Sequence, residues 1–398
     1  MTNSRRYIAL VAMVIVATLV VVLTAAAATT NSQQARPPLK IGVVISLTGP
    51  YASFGTSGKN GVILAARQIN AKGGIGAVKG RGGRKIALTI LDDATNPANA
   101  INHVNRLIAD GAVAIVGLNG GQTQVPASTA LIRQNVFTLA ASGFNVGQQS
   151  GPAYFFMPPS VATHAKALAC YVTKRGSTRV GIIADSAAGS QSVKNELEKL
   201  LGNKVVANET VPATASDVTV QVSKVRDARP TLIMNLATGQ PAPLVQRTIN
   251  NLGLRVPSVG WLAAANTALL KPYGSSLNGW VIEGLLAPAD PTKAQELFVR
   301  TYQRNYGLPA DAFAAWQYDA IKVIAAAVAK VPNATQKDGL RLARAIQGVT
   351  IPGVVANYQF KQFNANDPEL HTGIHAKDIN WLRVENGDFK RGTFQPKC

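Results

Sequence analysis

The chain has 398 residues, 40 Lys and Arg against 20 Asp and Glu, and a formal net charge of +20. A hydrophobic fraction of 47% excludes intrinsic disorder, a single long apolar run excludes a polytopic membrane protein, and two cysteines exclude a disulfide scaffold or a multi-cysteine zinc site. The charge raises the question of nucleic acid, because dense Lys and Arg neutralise phosphate, but aromatics at 6% offer bases little to stack on.

The N-terminus reads as an export address. Arg5 and Arg6 precede an uncharged apolar run over residues 8–28, which ends in small residues suited to cleavage. That run is about 31 Å long as a helix, so it reads either as a cleaved signal peptide or as an uncleaved anchor. No cysteine lies near it for a lipoprotein anchor. Residues 29–38 are a polar linker ending in Pro37 and Pro38. Export argues against a genomic partner, so no nucleic acid is expected as a ligand.

From Leu39 short apolar strands alternate with amphipathic helices. LKIGVVISL reads as a buried strand, GKNGVILAARQINA as a helix with Val62, Ile63, Ala66 and Ile69 near the 3.6 period, and KIALTIL as the next strand. ATNPANAINHVNRLIAD reads as a helix with Asn96 as N-cap and Pro97 at its first position. AVAIVG and NVFTLAA are strands on either side of the helix QTQVPASTALIRQ. After Pro158 and Pro159 the rhythm restarts with a helix from Thr163, then strands RVGIIAD, VVANETV, TLIMNLA and VPSVGW separated by helices. KAQELFVRTYQRNYG, DAFAAWQYDAIKVIAAAVAK and DGLRLARAIQ are three further helices, and the tail alternates in strand fashion and turns at Asn386 and Gly387. Repeated β-α predicts an α/β fold of two doubly wound parallel-sheet lobes.

Catalytic signatures fail. No phosphate-binding loop ending in Gly-Lys-Ser/Thr, no His-Glu-x-x-His and no Gly-x-Ser-x-Gly occurs. GGIGAVKGRGGRK follows a helix and precedes a strand, the reverse of a dinucleotide loop, and reads as a flexible basic turn. His371 and His375, near Asp367 and Asp378, have metal-ligand spacing, but Pro368 and Gly373 argue for a polar loop. Asp92 and Asp93 read as caps of the turn that follows them, and Cys170 as a small core residue, with a bridge to Cys398 left open. No metal, cofactor or catalytic residue is expected, and the chain does not read as an enzyme.

IGVVISLTGPYASFGTSGKNGVILAARQINAKGGI resembles the opening of mature branched-chain amino-acid-binding proteins, the leucine/isoleucine/valine-binding receptors of ABC importers. LDDATNPANAINHVNRLIADGAVAIVG, QTQVPAS, RVGIIAD, SDVTVQVSKVRDARPTLIM and AWQYDAIKVIAAAV fall in order behind it. The resemblance implies a type I periplasmic-binding fold, with two lobes joined by three crossover strands and closing on a ligand. It implies a monomer in the periplasm with an ABC permease as partner. The division expected is 39–157 with 286–353 for the first lobe and 158–285 with 354–398 for the second. Hinges are expected near 156–159, 284–287 and 354–359.

Ligands of doubly wound sheets bind beyond the carboxyl ends of the strands. That rule alone singles out loops 51–58, 118–123, 141–145, 185–190, 237–240 and 261–264. Within them the candidate ligand-binding residues are Phe54, Gly120, Gly121, Gln122, Ser142, Gly143, Phe144, Asp185, Thr238, Trp261 and Leu262. The resemblance also carries an amino-acid clamp, which this sequence lacks. Its carboxylate-holding Ser corresponds to Gly121. Its Thr corresponds to Phe144, with Ser142 or Asn145 as alternatives one or two residues away. Its ammonium-pairing Glu corresponds to Leu262, and its Tyr positions to Phe54, Gly189 and Thr238. Two cysteines of the family's first-lobe disulfide fall at Thr95 and Gly120, so that bridge is absent. A buried ammonium needs a carboxylate partner. Asp185, the one acid in these loops, reads either as a structural cap or as a ligand contact. The ligand expected is therefore not an ordinary α-amino acid. An aromatic or aliphatic carboxylate, or a neutral amide, suits a wall of Phe54, Phe144 and Trp261.

No acid precedes Asp92, whereas Lys72, Lys79, Arg81, Arg84 and Lys85 crowd one helix-to-strand turn. Such a turn lies at the amino ends of the strands, away from a cleft. It reads as a solubilising surface, or as a weak docking face for anionic envelope polymer or lipid.

Overall fold

The computed structural model describes residues 36–79, 81–141 and 149–397. The export segment, most of the linker, Ser142, Gly143, Phe144, Asn145 and Cys398 lie outside the described residues. Among the described residues no helix is long and apolar enough to cross a membrane.

The first lobe is built on five parallel strands: β1 (Leu39–Ile45), β2 (Ile86–Asp92), β3 (Ala114–Gly117), β4 (Phe137–Ala140) and β5 (Tyr154–Phe156), in the order β2-β1-β3-β4-β5. β1 buries every residue but Lys40, as a parallel strand covered on both faces must. Between the strands run α1 (Ala52–Ala71), α2 (Pro97–Ala109) and α3 (Gly121–Arg133). Asn96 caps α2, accepting from the N–H groups of Ala98 at 2.8 Å and Asn99 at 3.2 Å, with Pro97 at the first position. The start of α1 is pressed onto the end of β1: a Cβ on Gly55 would lie 1.7 Å from the Ser46 carbonyl oxygen. Only glycine permits that approach, and it fixes where Phe54 sits.

The second lobe opens with α4 (Val161–Lys174), β6 (Val180–Asp185), α5 (Ala188–Leu201) and β7 (Val205–Val211). It continues with α6 (Thr219–Asp227), β8 (Leu232–Asn235), α7 (Pro241–Asn251), β9 (Ser258–Gly260), α8 (Thr267–Leu270) and β10 (Val281–Gly284). The chain then returns to the first lobe as α9 (Glu296–Tyr306), α10 (Ala312–Lys330) and α11 (Gly339–Ile346), where α10 lies along α1. A Cβ on Gly61 of α1 would stand 2.1 Å from the Ala314 carbonyl oxygen, so this crossing also depends on a bare backbone.

A short ribbon of β11 (Thr350–Pro352) and β12 (Asn357–Gln359) leads to the closing hairpin, β13 (Asn380–Glu385) and β14 (Asp388–Arg391). The second sheet reads β14-β13-β10-β9-β8-β6-β7, parallel except at β13 and β14. Asn386 and Gly387 turn that hairpin with φ of 52° and 74°, the left-handed pair a type I′ turn requires.

Three expectations need correction. Residues 354–398 are expected on the second lobe, but 357–373 lie on the first. Tyr358 donates to Asp319 Oδ2 on α10 at 3.1 Å, and the Phe360 ring meets Phe155 edge-on at 5.0 Å. The His371 ring stacks on Phe155 at 4.1 Å, and the Gly373 N–H donates to the Phe156 carbonyl at 2.8 Å. The physical reason is the edge strand β5: its open hydrogen-bonding side and its Phe155 need a cover, and this segment supplies both. The chain joins the second sheet only at Asn380.

The basic turn is not a loose loop. It folds into a small ribbon in which Ile75 pairs with Arg84 and Val78 with Arg81, and Arg84 donates to the carbonyls of Pro37 at 3.0 Å and Ala334 at 2.6 Å. Cys170 is half-buried on α4 and disulfide-bonded rather than a free core thiol. The sequence holds one other cysteine, Cys398. The preceding tail lies against α4, with Phe394 edge-on to Tyr171 at 5.1 Å.

Candidate functional site

The carboxyl ends of both sheets face each other, and the strand-end loops meet between the lobes. From the first lobe come Tyr51 and Phe54 at the head of α1, Asn119 after β3, Gly120 and Gly121 at the head of α3, and Ala141 after β4. Tyr51 packs on Phe54 at 5.7 Å, Phe54 on Phe313 at 4.6 Å, and Phe313 on Trp316 at 4.6 Å. These four rings make a continuous aromatic wall. Gly120 is needed beneath it, because a Cβ there would stand 2.7 Å from the Tyr51 ring. Burial raises the pKa of the Tyr51 hydroxyl, a hydrogen bond with Gln122 opposes the rise, and the charge of Asp185 across the cleft adds to it.

Asp185 is fully buried at the end of β6. Its Oδ1 accepts from the Ala187 N–H at 2.9 Å and its Oδ2 from the Thr238 N–H, so it ties the ends of β6 and β8 together. Burial raises its pKa, and the two backbone amides and Ser190 counter the rise. Thr238 has its Oγ1 buried without a partner among the described residues. Trp261, fully buried, donates from Nε1 to the Ala237 carbonyl at 3.1 Å.

Between the lobes lies a partly open cavity of about 40 Å³. Its first-lobe side is Asn119, Ala141, Phe313 and Trp316; its second-lobe side is His164, Trp261, Leu262 and Ala263, with Pro158 and Pro159 of the connection between them. Of the sequence candidates, Trp261 and Leu262 line it directly. Phe54 stands behind Phe313, Gly120 and Gln122 support Tyr51, and Gly121 is the buried first residue of α3. Asp185 and Thr238 sit at the next strand ends. Ser142, Gly143 and Phe144 follow Ala141 and fall outside the described residues. A wider hollow of about 810 Å³ opens beside Pro152, Leu340 and Lys361, but it flanks the amino end of β5 and is lined by one lobe only.

Three polar residues of this site were not singled out by sequence. Glu283, on β10, is fully buried. His164 Nδ1 stands 2.8 and 2.9 Å from its two oxygens, and the Leu262 N–H donates to Oε2 at 3.3 Å. The His164 ring lies edge-on to Trp261 at 5.5 Å, held in the first turn of α4, where Ser160 accepts from the Thr163 N–H at 3.0 Å. Asn119 Oδ1 accepts from the Ser46 N–H at 3.0 Å, and its buried Nδ2 has no partner among the described residues. Signals for these residues existed: an acid inside the apolar stretch WVIEGLLA, and an Asn in a loop already marked by the strand-end rule.

Beside the cavity a further carboxylate crosses between the lobes. Asp311 caps α10 through the Ala314 N–H at 2.8 Å, and its Oδ2 accepts from Ser57 Oγ at 2.7 Å and from Asn266 Nδ2 of the second lobe at 3.2 Å. Burial pushes its pKa up to about 6.

The residues with metal-ligand spacing do not converge. His371 Nδ1 contacts the Tyr154 carbonyl at 2.9 Å, whereas His375 and Asp378 cap a helical turn. Asp92 and Asp93 cap the β1 and β2 ends, taking the Leu47 and Ala94 N–H groups and the Ser46 hydroxyl.

Residues 38–376 match the family described as periplasmic binding protein. A relative, Leu/Ile/Val-binding protein homolog 3 of Brucella melitensis, is 25% identical over 296 residues, 73% of this chain and 78% of its own. The fold is shared with a solute binding protein of an ABC transporter from Rhodopseudomonas palustris, solved with 3,4-dihydroxybenzoic acid (TM-score 0.76, 19% identity, covering 90% of this chain and 96% of that one). It is shared too with the branched-chain amino acid transporter substrate binding protein LivJ of Streptococcus pneumoniae, solved with isoleucine (TM-score 0.74, 18% identity, 89% and 98%). The paired α/β lobes, the cleft at their strand ends and the family match over most of the chain agree: this protein belongs to the periplasmic binding protein family, with the type I fold.

Proposed function

We propose that this protein is exported, captures a small ligand between its lobes and delivers it to an ABC importer. The ligand is an aromatic or aliphatic carboxylate or a neutral amide rather than an ordinary α-amino acid. Its lobes are 39–157 with most of 286–379, and 158–285 with 380–398, and the protein acts as a monomer. The carrying observation is at Leu262. An ammonium there would need a carboxylate, and the one behind it, Glu283, is already bonded to His164 and to the Leu262 N–H. The aromatic wall from Tyr51 to Trp316, with Trp261 opposite, suits a flat or aliphatic body. The relative solved with dihydroxybenzoic acid supports this class, while the one solved with isoleucine shows that the same fold serves amino acids.

A thermal-shift screen of amino acids, aromatic acids, aliphatic acids and amides tests the reading. A ligand at a hundredfold excess over Kd stabilises the protein by about 2.7 kcal/mol, a readily visible rise in Tm. Acids or amides are expected to give it; tight stoichiometric leucine binding by calorimetry would refute the ligand class. The exported protein is expected to begin beyond Ala28, and N-terminal sequencing that finds residues 8–28 retained would make it a tethered receptor instead.

A further inference from the structure

We infer that the cleft grips its ligand by a carboxylate held from both lobes, by Asn119 Nδ2 of the first and His164 Nε2 of the second, with Glu283 behind the ring as counter-ion. This rests on the reading of the cleft as the ligand site and narrows it from two chemical classes to one.

The hydrogen-bonding capacity left over in the cavity decides between acid and amide. Among its lining side chains the acceptor is already engaged: Asn119 Oδ1 takes the Ser46 N–H. The carboxylate immediately behind is engaged too, because Glu283 takes the His164 ring and the Leu262 N–H. Donors remain. Asn119 Nδ2 is buried with no partner among the described residues. Nδ1 of His164 faces Glu283, which leaves Nε2 as the ring nitrogen open to a ligand. A buried donor left unpaired is costly, and a carboxylate, which only accepts, satisfies Asn119 Nδ2 and, when the ring is protonated, His164 Nε2 as well. A primary amide would bring two N–H groups into a cavity where, among the described residues, no side-chain acceptor is unengaged while the His164 ring carries its Nε2 hydrogen.

The buried Glu283 gives the ring its role. A carboxylate ligand accepting from Nε2 requires hydrogen on both ring nitrogens, and Glu283, at 2.8 Å from Nδ1, neutralises the ring from behind. The size agrees. The cavity of about 40 Å³ has room for a small head group such as a carboxylate, with the body lying toward the aromatic wall as the lobes part. Because Asn119 and His164 belong to different lobes, a head group joining them also favours the closed form. A net charge of +20 raises the local concentration of anions around the whole protein.

The test uses matched pairs on the intact protein: benzoate against benzamide and hexanoate against hexanamide, by calorimetry near neutral pH. The acids are expected to bind about tenfold or more tightly than their amides, as hydrogen bonds to a charged group warrant. Two variants follow. Asn119→Asp keeps the acceptor for Ser46 but turns the free donor into an acceptor, and His164→Gln removes the ring. Each is expected to weaken the acids more than the amides. Amides binding as tightly as acids, or acid affinity unchanged in both variants, overturns the anchor while leaving the proposed function standing. Binding of leucine alone overturns the proposed ligand class, and leucine affinity indifferent to both variants then overturns the anchor as well. Silence from the acids, the amides and leucine overturns both.

Discussion

Two buried carboxylates approach the cleft from the second lobe, and their surroundings give them opposite roles. Asp185 ends β6 with each oxygen taken by a backbone N–H, so it works inward, tying Thr238 and Ala187 to the strand end. Glu283 sits on β10, three strands further along the same sheet, and has one backbone partner, Leu262; its other neighbour is a ring that reaches the cavity. An acid closed by amides is architecture. An acid closed by an imidazole passes its charge to whatever the imidazole touches. Position at a strand end therefore marks the place of a site, while the partners of each group decide what it does there.

Removing each carboxylate should separate those roles. Glu283→Ala strands a buried imidazole and the Leu262 N–H, and breaking a buried pair from one side typically costs about 3–5 kcal/mol. Urea denaturation should show the larger loss here. Asp185→Ala leaves two backbone N–H groups short of an acceptor, a cost of roughly 1–3 kcal/mol for an unsatisfied buried group. The two should also differ in binding. The Asp185 variant, where folded, should keep the preference of wild type for acid over amide, whereas Glu283→Gln should lose it. An Asp185 variant that loses the preference while Glu283→Gln keeps it would invert the comparison.

The fold was legible in the sequence because its signals are local. Parallel strands buried on both faces read as short apolar runs, Asn96 with Pro97 marks a helix start, and Asn386 with Gly387 marks a hairpin. The return of residues 357–373 to the first lobe was not legible. What brings it there is Phe155, some two hundred residues earlier, needing Phe360 and His371 as a cover. The site divides in the same way. The strand-end rule reached Trp261 and Leu262, which line the cavity, because their position follows from β9 alone. It missed His164 and Glu283, since each has meaning only through the other, across 119 residues of sequence. It also missed Phe313 and Trp316, which arrive on a helix from beyond the second crossover.

Asp311 offers a finer test, because it is a third buried carboxylate with a third kind of partnership: it joins the lobes. Its pKa is pushed up to about 6 by burial, with Ala314 and Ser57 countering, against an ordinary value of 3.8. The folded state therefore binds a proton more readily than the unfolded chain. The stabilisation this confers is fully present below about 3.8 and is lost as pH rises to about 6. Asp319, whose pKa burial also raises to about 6, adds a slope of the same sign from the Tyr358 side of α10. Acids held low by their hydrogen bonds, such as Asp338 with Thr335, slope the other way, so the informative quantity is the difference between wild type and variant. Asp311→Asn keeps a side-chain oxygen for the Ala314 N–H, and Asn caps helices about as well as Asp. Little stability should be lost near pH 4, where wild type is itself protonated. Above pH 6 the variant should stand level with or above wild type, since it buries no charge. Urea midpoints measured from pH 4 to pH 7 should show the gap between the two proteins shifting in favour of the variant across that window. A constant gap would mean that Asp311 does not titrate there and that the bridge from Asn266 is made to a fixed charge.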